Sequence, residues 1–330
     1  MSRLYKKSGV DVIKTDKLIS QALKFIKSSH NDKVLGNKLG FSAEYRVNKD
    51  ITLCAATDGV GTKAILAAEL NDYKGIGQDL VAMCSNDLLC NKAKPLFFLD
   101  YFACSSVKAK QYTEILRSIT GACKKINCSL IGGETAEMPS LYKGNHFDIA
   151  GFLIGIKERY KSLNVTRGDL IFGIKSNGFH SNGFSLIRKI IKDSSAKEDE
   201  LKKIITLALK PTHLYPNIIM KLIEKFSIHG MAHITGGGLT ENIPRSLPKD
   251  LSAEISLASW ELPEIFKWLQ ERGSISDDDL LRIFNCGIGM VLLVDESISE
   301  EIKSDIKDSG FDCYNIGRVV KKVNESVVYS

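Results

Sequence analysis

Apolar positions follow two spacings along the chain, one typical of helices and one typical of strands. Residues 17–29 carry apolar side chains three or four positions apart, which predicts an amphipathic helix. Short continuous apolar runs bounded by polar or glycine residues predict buried strands, as at residues 95–102 and 290–294. The same spacing predicts further helices at residues 61–70, 79–89, 107–125, 183–192, 215–225, 262–272, 278–285 and 300–309. Further strands are predicted at residues 50–57, 129–131, 148–156, 169–175, 231–234 and 253–255.

The order of these elements predicts a mixed α/β (α+β) protein of two domains. A chain of 330 residues is long enough for two domains that each bury a core. The polar stretch 157–168 separates two predicted strands, so we place the boundary there, with domains at residues 1–165 and 166–330. The charged segment 194–203 is predicted to be a solvated surface element, and Pro244 to lie in a first helical turn or at a break.

Composition excludes several classes of protein. Hydrophobic residues make up 44% and charged residues 25%, which argues against a disordered or low-complexity chain. No apolar stretch approaches the roughly 18 residues of a membrane helix, and no apolar run follows the basic N-terminus. We therefore expect a cytoplasmic protein without a membrane partner. The eight cysteines include no C-x-x-C pair, so we expect them to be core residues rather than zinc ligands.

The positive charge is spread along the chain rather than gathered in blocks. No basic block and no interleaving of basic with aromatic residues is present, which argues against a nucleic-acid partner. Residues 1–165 hold 24 basic and 16 acidic residues, a balance of +8, whereas residues 166–330 hold 21 and 23, a balance of −2. The basic half could attract a phosphorylated small molecule or could simply be a lysine-rich surface.

Common nucleotide and hydrolase motifs are missing. The chain has no Gly-Lys dipeptide, which excludes a P-loop, and no G-x-G-x-x-G follows a predicted strand. Residues 178–183 space their glycines and serine as G-x-x-S-x-G, one residue too wide for the nucleophile elbow of a serine hydrolase.

Three glycine loops remain as candidate phosphate sites, each following a predicted strand. The first loop spans residues 58–63, where glycines permit close backbone approach, a carboxylate can hold a hard cation and a lysine can reach a phosphate. Its candidate residues are Asp58, Gly59, Gly61, Thr62 and Lys63. The second loop offers Ser176, Gly178, His180, Ser181, Asn182 and Gly183, and the third Thr235, Gly236, Gly237 and Gly238. A single loop of this kind is more often structural, but the three together favour phosphate binding.

Carboxylates beside apolar or glycine-rich runs give a second signal. Buried carboxylates are costly unless they are paired, act as helix caps or bind a metal. The set contains Asp58, Asp79, Asp87, Asp100, Glu134, Glu137 and Asp148. Because Mg²⁺ binds a few carboxylates together with water and substrate phosphates, the set indicates a magnesium site, although any one member could instead be a cap or an ion-pair partner.

The motifs that contain these residues closely resemble the aminoimidazole ribonucleotide synthetase (phosphoribosylformylglycinamidine cyclo-ligase) family. The matching segments run in order over nearly the whole chain. They are residues 5–11 (YKKSGVD), 57–63 (TDGVGTK), 79–88 (DLVAMCSNDL), 95–101 (PLFFLDY), 132–139 (GGETAEMP), 180–183 (HSNG), 232–238 (AHITGGG), 241–245 (ENIPR) and 284–287 (FNCG).

The resemblance implies a ligase of purine biosynthesis that uses ATP and Mg²⁺. Such an enzyme closes formylglycinamidine ribonucleotide to 5-aminoimidazole ribonucleotide and releases ADP and phosphate. ATP would activate the amide oxygen as an iminophosphate, and an amidine nitrogen would then attack that carbon. The resemblance also implies a homodimer in which the first domains pair their strands around a shared barrel.

The residue roles that fit this reaction are hypotheses. Asp58, Asp79, Asp87 and Glu134 would bind Mg²⁺, and the nucleotide would contact the same acids together with the first glycine loop. Lys63 would contact phosphate. The second and third loops would hold the ribose phosphate or close over the nucleotide. His180 could act as a proton donor or acceptor, or it could only bind phosphate.

Departures from the family pattern and rival functions complete the sequence-based picture. Ser85, Ser140, residues 91–94 and the thinned glycine stretch at 36–40 differ from the expected pattern, and these departures bear on loops rather than on the predicted metal ligands. Thiamine-phosphate kinase and selenophosphate synthetase are rivals, although the selenium enzyme needs an N-terminal reactive cysteine and the first cysteine here is Cys54. A nucleotide-sensing protein without turnover is a more distant rival.

Overall fold

The computed structural model describes residues 12–35, 40–157 and 164–330, and it contains two six-stranded sheets. The first sheet has the order β1-β2-β3-β6-β4-β5. Its strands are Val34–Leu35 (β1), Ala43–Arg46 (β2), Thr52–Gly59 (β3), Ala93–Cys104 (β4), Ser129–Glu137 (β5) and Phe147–Lys157 (β6). The helices of this half are Val12–Ser28 (α1), Lys63–Leu70 (α2), Ile76–Leu89 (α3) and Ala109–Lys125 (α4).

The second sheet has the order β12-β9-β11-β7-β10-β8. Its strands are Leu170–Lys175 (β7), Gly230–His233 (β8), Leu251–Ile255 (β9), Ile288–Val294 (β10), Cys313–Lys321 (β11) and Val327–Tyr329 (β12). The helices are Phe184–Asp193 (α5), Glu198–Ala208 (α6), Pro216–Lys225 (α7), Gly238–Asn242 (α8), Glu264–Gly273 (α9), Asp277–Ile283 (α10) and Ser299–Asp308 (α11). Short 3₁₀ helices lie at Ile243–Ser246, Leu257–Ser259 and Glu296–Ile298. Two sheets with helices between their strands confirm the mixed α/β class.

Within the described residues, α3 and α4 pack on one face of the first sheet, and apolar side chains of the other face are exposed. Gly151 of β6 lies against α3, and the Cys84 thiol of that helix donates a hydrogen bond to the Gly151 carbonyl. Burial alternates along β6, so every second residue points toward this covered side. The opposite face bears Phe152, which is 42% exposed, and the neighbouring edge exposes Ile131 at 59%. The sheet therefore forms half of a barrel with an uncovered apolar face.

The second sheet is buried more completely. All seven residues of β10 are buried, as the continuous apolar run at residues 290–294 predicts for a central strand. β10 pairs antiparallel with β7 on one side and with β8 on the other, which places His233 opposite Met290. Helices such as α5 and α9 pack on this sheet around a core that contains Phe179, Phe266 and Phe284.

Several predicted elements differ from the structure. The strand predicted at residues 129–131 extends to Glu137, because it pairs in parallel with β4. Strands β1, β2, β11 and β12 were not predicted. Strands β1, β2 and β12 are two to four residues long, whereas β11 is a nine-residue strand between β9 and β7 that the apolar spacing missed. The charged segment 194–203 lies partly in helix α6, whose stripe of Ile204 and Ala208 packs into the core. Pro244 lies at the start of the 3₁₀ helix, as expected.

Three sequence-based predictions concern residues outside the described ranges. The motif at residues 5–11 and most of the glycine stretch 36–40 lie there, and so does part of the proposed boundary segment. The division at residue 165 therefore stays a prediction. The cysteine prediction is confirmed: all eight are free thiols, and six of them are buried. Among the described residues, no helix has the length and apolar character needed to span a membrane.

Candidate active site

Asp58 lies at the end of β3, facing the covered side of the first sheet. It stands opposite Gly151, and the Gly59 N–H donates a hydrogen bond of 2.8 Å to its Oδ1. Burial raises the pKa of the Asp58 carboxyl to about 6, and the negative charge of Asp87 adds to this rise. Two carboxylates therefore share a poorly solvated position, an arrangement that favours a bound cation.

Asp87, on α3, joins the two domains through a histidine. The Oδ1 atom of Asp87 lies 2.8 Å from Nδ1 of His233, a fully buried residue at the end of β8. Asn86 lies beside the other imidazole nitrogen at 3.5 Å, donates to the carbonyl of His213 and accepts from the N–H of Tyr215. These contacts fix the carboxylate edge of the first domain against the second.

Lys63 and Asp79 form a second junction between the domains. Nζ of Lys63 lies 2.9 Å from Asp79 Oδ1 and 2.8 Å from Oδ2, and both side chains are fully buried. Nζ also donates to the carbonyls of His180 and Lys210, at 3.0 and 2.8 Å. Burial lowers the pKa of Lys63, and Asp79 opposes that change.

The groups around this ion pair affect two predicted roles, the phosphate contact of Lys63 and the metal contact of Asp79. Asp79 Oδ1 also accepts from the N–H and the hydroxyl of Thr212, at 2.7 and 2.6 Å. Both Lys63 and Asp79 are thus engaged by protein groups, and contact with phosphate or metal would require the pair to open. The phosphate contact of Lys63 and the metal contact of Asp79 stay predictions, while the geometry supports a role in joining the domains.

Glu134 lies apart from the other predicted metal ligands. It is on β5, three strands from β3, which corresponds to about 14 Å at ordinary strand spacing. Its neighbour Thr135 contacts Tyr112 of α4 on the covered face, so Glu134 points to the uncovered face. Within one chain, Glu134 therefore does not join Asp58, and the four predicted ligands are not gathered around one point. Its side chain accepts from the N–H of Thr135 at 2.8 Å.

The second glycine loop, residues 176–183, is closely packed around His180. This residue has a positive φ of 59° and no exposure to solvent, and its Nε2 accepts a hydrogen bond of 3.0 Å from the Asn177 N–H. Burial lowers the pKa of His180 well below its usual value, so the ring is neutral at physiological pH. The buried Nδ1 has no partner among the described residues. The acid–base role of His180 stays a prediction.

Other side chains of this loop hold its shape. The Ser176 hydroxyl contacts the carbonyl of Gly178 at 2.9 Å and the side chain of Asn285 at 3.1 Å. Ser181 Oγ lies 3.3 Å from the hydroxyl of Thr212. Gly183 precedes α5 with a φ of 77°, and an added Cβ would lie 2.2 Å from the Phe284 ring. Glycine is required here by both conformation and space.

The second and third glycine loops lie side by side. The position of a Cβ on Gly236 is 3.5 Å from Oδ1 of Asn182, and the buried Nδ2 of Asn182 has no partner in the described part of the chain. The Asn242 amide donates to the carbonyls of Gly236 and Gly238, and the Gly238 N–H donates to the carbonyl of Thr235. Gly237 also has a positive φ, of 93°. An unsatisfied amide donor between two glycine loops is suited to an oxygen-rich ligand.

The first loop contacts the second across the domain boundary. Thr62 Oγ1 lies 3.1 Å from the hydroxyl of Ser185 at the start of α5, and Gly61 has a positive φ of 55°. All three loops and the two carboxylates Asp58 and Asp87 thus border the junction of the two domains.

The donor chemistry at this junction fits a magnesium ion. Asp58 and Asp87 offer carboxylate oxygens of the kind that Mg²⁺ prefers, and a divalent cation would relieve the repulsion that contributes to the raised pKa of Asp58. No group of three or more histidine, cysteine or acidic side chains in the described ranges is arranged to hold a metal by itself. Two carboxylates completed by substrate phosphates and water agree with the usual preference of Mg²⁺.

His233 and Thr212 were not identified from the sequence as site residues. His233 lies within the motif at residues 232–238, and that motif was the available signal. Its partner Asp87 is 146 residues away, and nothing in the local pattern indicates which acid it meets. Thr212 has no motif around it and is recognised only through its contacts with Asp79.

Comparisons with known proteins agree with this architecture. The family model described as "AIR synthase related protein, N-terminal domain" matches residues 40–157, and the corresponding C-terminal domain matches residues 166–330. The chain is therefore a two-domain protein of the AIR synthase related class.

Two curated relatives carry the name phosphoribosylformylglycinamidine cyclo-ligase. The one from Neisseria gonorrhoeae is 43% identical (95% of this chain, 94% of the relative), and the one from Prochlorococcus marinus is 42% identical (98% and 97%). The chain belongs to the phosphoribosylformylglycinamidine cyclo-ligase family, which confirms the resemblance of its motifs.

Solved structures share the fold at low sequence identity. AaThiL in complex with AMPPCP and TMP superposes with a TM-score of 0.64 at 17% identity, covering 94% of this chain and 92% of that one. The hydrogenase maturation protein HypE of E. coli superposes with a TM-score of 0.63 at 14% identity, covering 96% and 94%. At these identities the likeness concerns the fold alone.

Proposed function

We propose that the protein catalyses the ATP-dependent cyclisation of formylglycinamidine ribonucleotide to 5-aminoimidazole ribonucleotide in purine biosynthesis, with release of ADP and phosphate. The observation that carries the proposal is the 42–43% identity to cyclo-ligases over at least 95% of the chain. The enzyme is thus a ligase, and purine biosynthesis is consistent with a cytoplasmic location.

Asp58 and Asp87 would hold Mg²⁺ together with phosphate oxygens of ATP. When bound, the ion offsets the negative charge that moves between ATP and the substrate. Asp87 is oriented for this task by His233, and Asp58 by the Gly59 N–H. ATP use is supported by family membership, and AaThiL, which shares the fold, is known with AMPPCP bound.

The second and third glycine loops would hold the phosphorylated substrate. The side chain of Asn182 lies beside Gly236, whose backbone is exposed, and its buried Nδ2 donor has no partner among the described residues. Neutral donors of this kind bind phosphate oxygens without the cost of a buried unpaired charge. His180 would keep the loop in its bent conformation through the bond that it accepts from Asn177.

A homodimer is part of the proposal, because the first sheet has an uncovered apolar face. Phe152 and the edge residue Ile131 would be buried if the half barrels of two copies closed on each other. Glu134 lies on this face as well, and would then be near the second copy.

The function is tested by supplying formylglycinamidine ribonucleotide, ATP and Mg²⁺ and detecting the aminoimidazole product. Product formation is expected with this substrate, and phosphorylation of thiamine phosphate is not. If Asp58→Ala and Asp87→Ala kept normal Mg²⁺-dependent turnover, the metal assignment would be wrong. The variant Asp308→Ala is a suitable control, since this residue is an exposed acid at the end of α11 in the second domain and does not lie on the uncovered face of the first sheet.

A further inference from the structure

A second cavity lies at the domain junction, lined by other residues than the candidate active site. It has a volume of about 490 Å³ and is formed by residues 70–76 of the first domain and residues 202–211 of the second. This volume falls within the range of about 300–1,000 Å³ that is usual for small-molecule sites. None of the acids or glycine loops described above lines it.

The cavity combines an apolar floor with a basic rim. Ile76, Leu209 and Pro211 supply apolar surface, and the close approach of Gly75 to the Leu209 carbonyl brings the two domains into contact there. Lys74 from the first domain and Lys210 from the second stand at the rim, both exposed. Among the described residues neither ammonium group has an ion-pair partner.

The remaining charged residues leave the rim positive. Lys202 also lines the cavity, but it forms an exposed ion pair of 2.8 Å with Glu198. Asp72 is the one acid in the lining, and its Oδ1 accepts a hydrogen bond from the backbone N–H of Lys74. Lys74 and Lys210, which have no ion-pair partner among the described residues, favour an anion, and the apolar floor favours a flat ring.

We propose that this cavity is a second ligand site that binds a nucleoside monophosphate, with the base on the apolar floor and the phosphate between Lys74 and Lys210. The two lysines come from different domains, so the phosphate would bridge them.

A ligand bound in this cavity would contact both domains and strengthen their attachment. The Lys210 carbonyl accepts a hydrogen bond from the Lys63 ammonium, and the Pro211 carbonyl accepts one from the side-chain amide of Asn177. A ligand that contacts residues 210–212 and residues 74–76 at once holds the domains together. Because it binds the folded protein, it raises the thermal unfolding midpoint.

The test is a calorimetric titration of the full chain with AMP in the presence of EDTA, so that the metal-dependent nucleotide site is not used. We expect Lys74→Ala/Lys210→Ala to weaken AMP binding by about tenfold or more, since two charge-assisted contacts are lost. The matched control Lys124→Ala/Lys249→Ala removes one exposed lysine from each half and should stay within about twofold of the wild type. AMP should raise the unfolding midpoint of the wild type and of the control, and not that of the cavity variant.

Four results would overturn the proposal. One is an absence of AMP binding at millimolar concentration, and another is equal binding by the cavity variant and the control. The third is loss of AMP binding in Asp87→Asn together with its retention in the cavity variant, which would place AMP in the active-site cleft. Adenosine and inorganic phosphate should each bind at least tenfold more weakly than AMP, and phosphate binding as tight as that of AMP would contradict the ring subsite.

Discussion

Lys63 and Asp79 form an ion pair in which Nζ lies 2.8 Å from Oδ2 and neither side chain is exposed to solvent. Both residues belong to the first domain, but their remaining hydrogen bonds go to His180, Lys210 and Thr212 of the second. The buried pair therefore attaches the two domains to each other, and it contacts the second glycine loop through the His180 carbonyl.

Removing the lysine should strongly destabilise the protein. Lys63→Met leaves the Asp79 carboxylate buried without its counter-charge, and breaking a buried pair in this way costs about 3–5 kcal/mol. We expect a loss of that size in the free energy of unfolding measured with urea. Lys124→Met, at an exposed helix position, should change it by less than about 0.5 kcal/mol. Equal effects of the two substitutions would contradict the attachment role.

Replacing Asp58 should stabilise the metal-free protein while removing activity. The pKa of this carboxyl is raised from 3.8 to about 6, so above pH 6 the ionised carboxylate is less stable in the folded protein than in the unfolded chain, and it destabilises the fold. A rise of this size corresponds to about 2–3 kcal/mol, which Asp58→Asn should recover at pH 7.5 in EDTA. The gain should shrink as the pH falls from 6 toward 3.8, because the native carboxyl is then protonated.

The control for Asp58 is Asp308→Asn. Asp308 is an exposed acid at the end of α11 in the second domain, and it does not lie on the uncovered face of the first sheet. Its substitution should leave the unfolding free energy almost unchanged at both pH values. A less stable Asp58→Asn protein at pH 7.5 would show that the carboxylate pair is not under electrostatic strain.

A methyl group at Gly183 should disturb the second glycine loop. Gly183→Ala places Cβ 2.2 Å from the Phe284 ring at a φ of 77°, so we expect a loss of at least about 2 kcal/mol in unfolding free energy and a higher KM for the ribonucleotide. Gly121→Ala, in the middle of α4 with no atom within 4 Å of the new Cβ, should instead gain about 0.5–1 kcal/mol. Urea unfolding and substrate titration of both variants check this difference. An unchanged KM in Gly183→Ala would show that the second glycine loop does not contribute to binding of the ribonucleotide.

A charge on the uncovered face of the first sheet should prevent dimer formation. Phe152→Arg puts a cation where two half barrels would meet, so light scattering should report a monomer in place of a dimer. Val323→Arg, at a residue that is 86% exposed in the second domain, should leave the mass unchanged. A wild-type monomer, or a Phe152→Arg dimer, would contradict the proposed assembly.

The sequence pattern predicted elements with strong local signals and missed those that depend on distant pairing. The continuous apolar run at 290–294 correctly predicted the last five of the seven residues of β10. Gly132 and Gly133 ended the predicted strand at residue 131, although parallel pairing with β4 carries β5 on to Glu137. A glycine is needed at position 133 because β4 and β5 approach closely there: an added Cβ would lie 2.4 Å from the Asp100 side chain.

The same limit applies to the site. The first glycine loop and the acids pointed to Asp58 and Asp87, which the fold brings to one place. Whether Lys63 faces a ligand or a carboxylate depends on a residue 16 positions away, and a motif cannot decide this. His233 reaches Asp87 only because β8 joins the second sheet beside β10. Long-range packing determined these contacts.

The central claim is that ATP consumption is coupled to ring closure at a site held by Asp58 and Asp87. The most direct measurement is the ratio of aminoimidazole ribonucleotide formed to ADP released, with formylglycinamidine ribonucleotide and Mg²⁺ present. The account predicts one product for each ADP in the wild type and neither species above background in Asp58→Ala/Asp87→Ala. ADP release without the aminoimidazole product, or no consumption of ATP by the wild type, would contradict it.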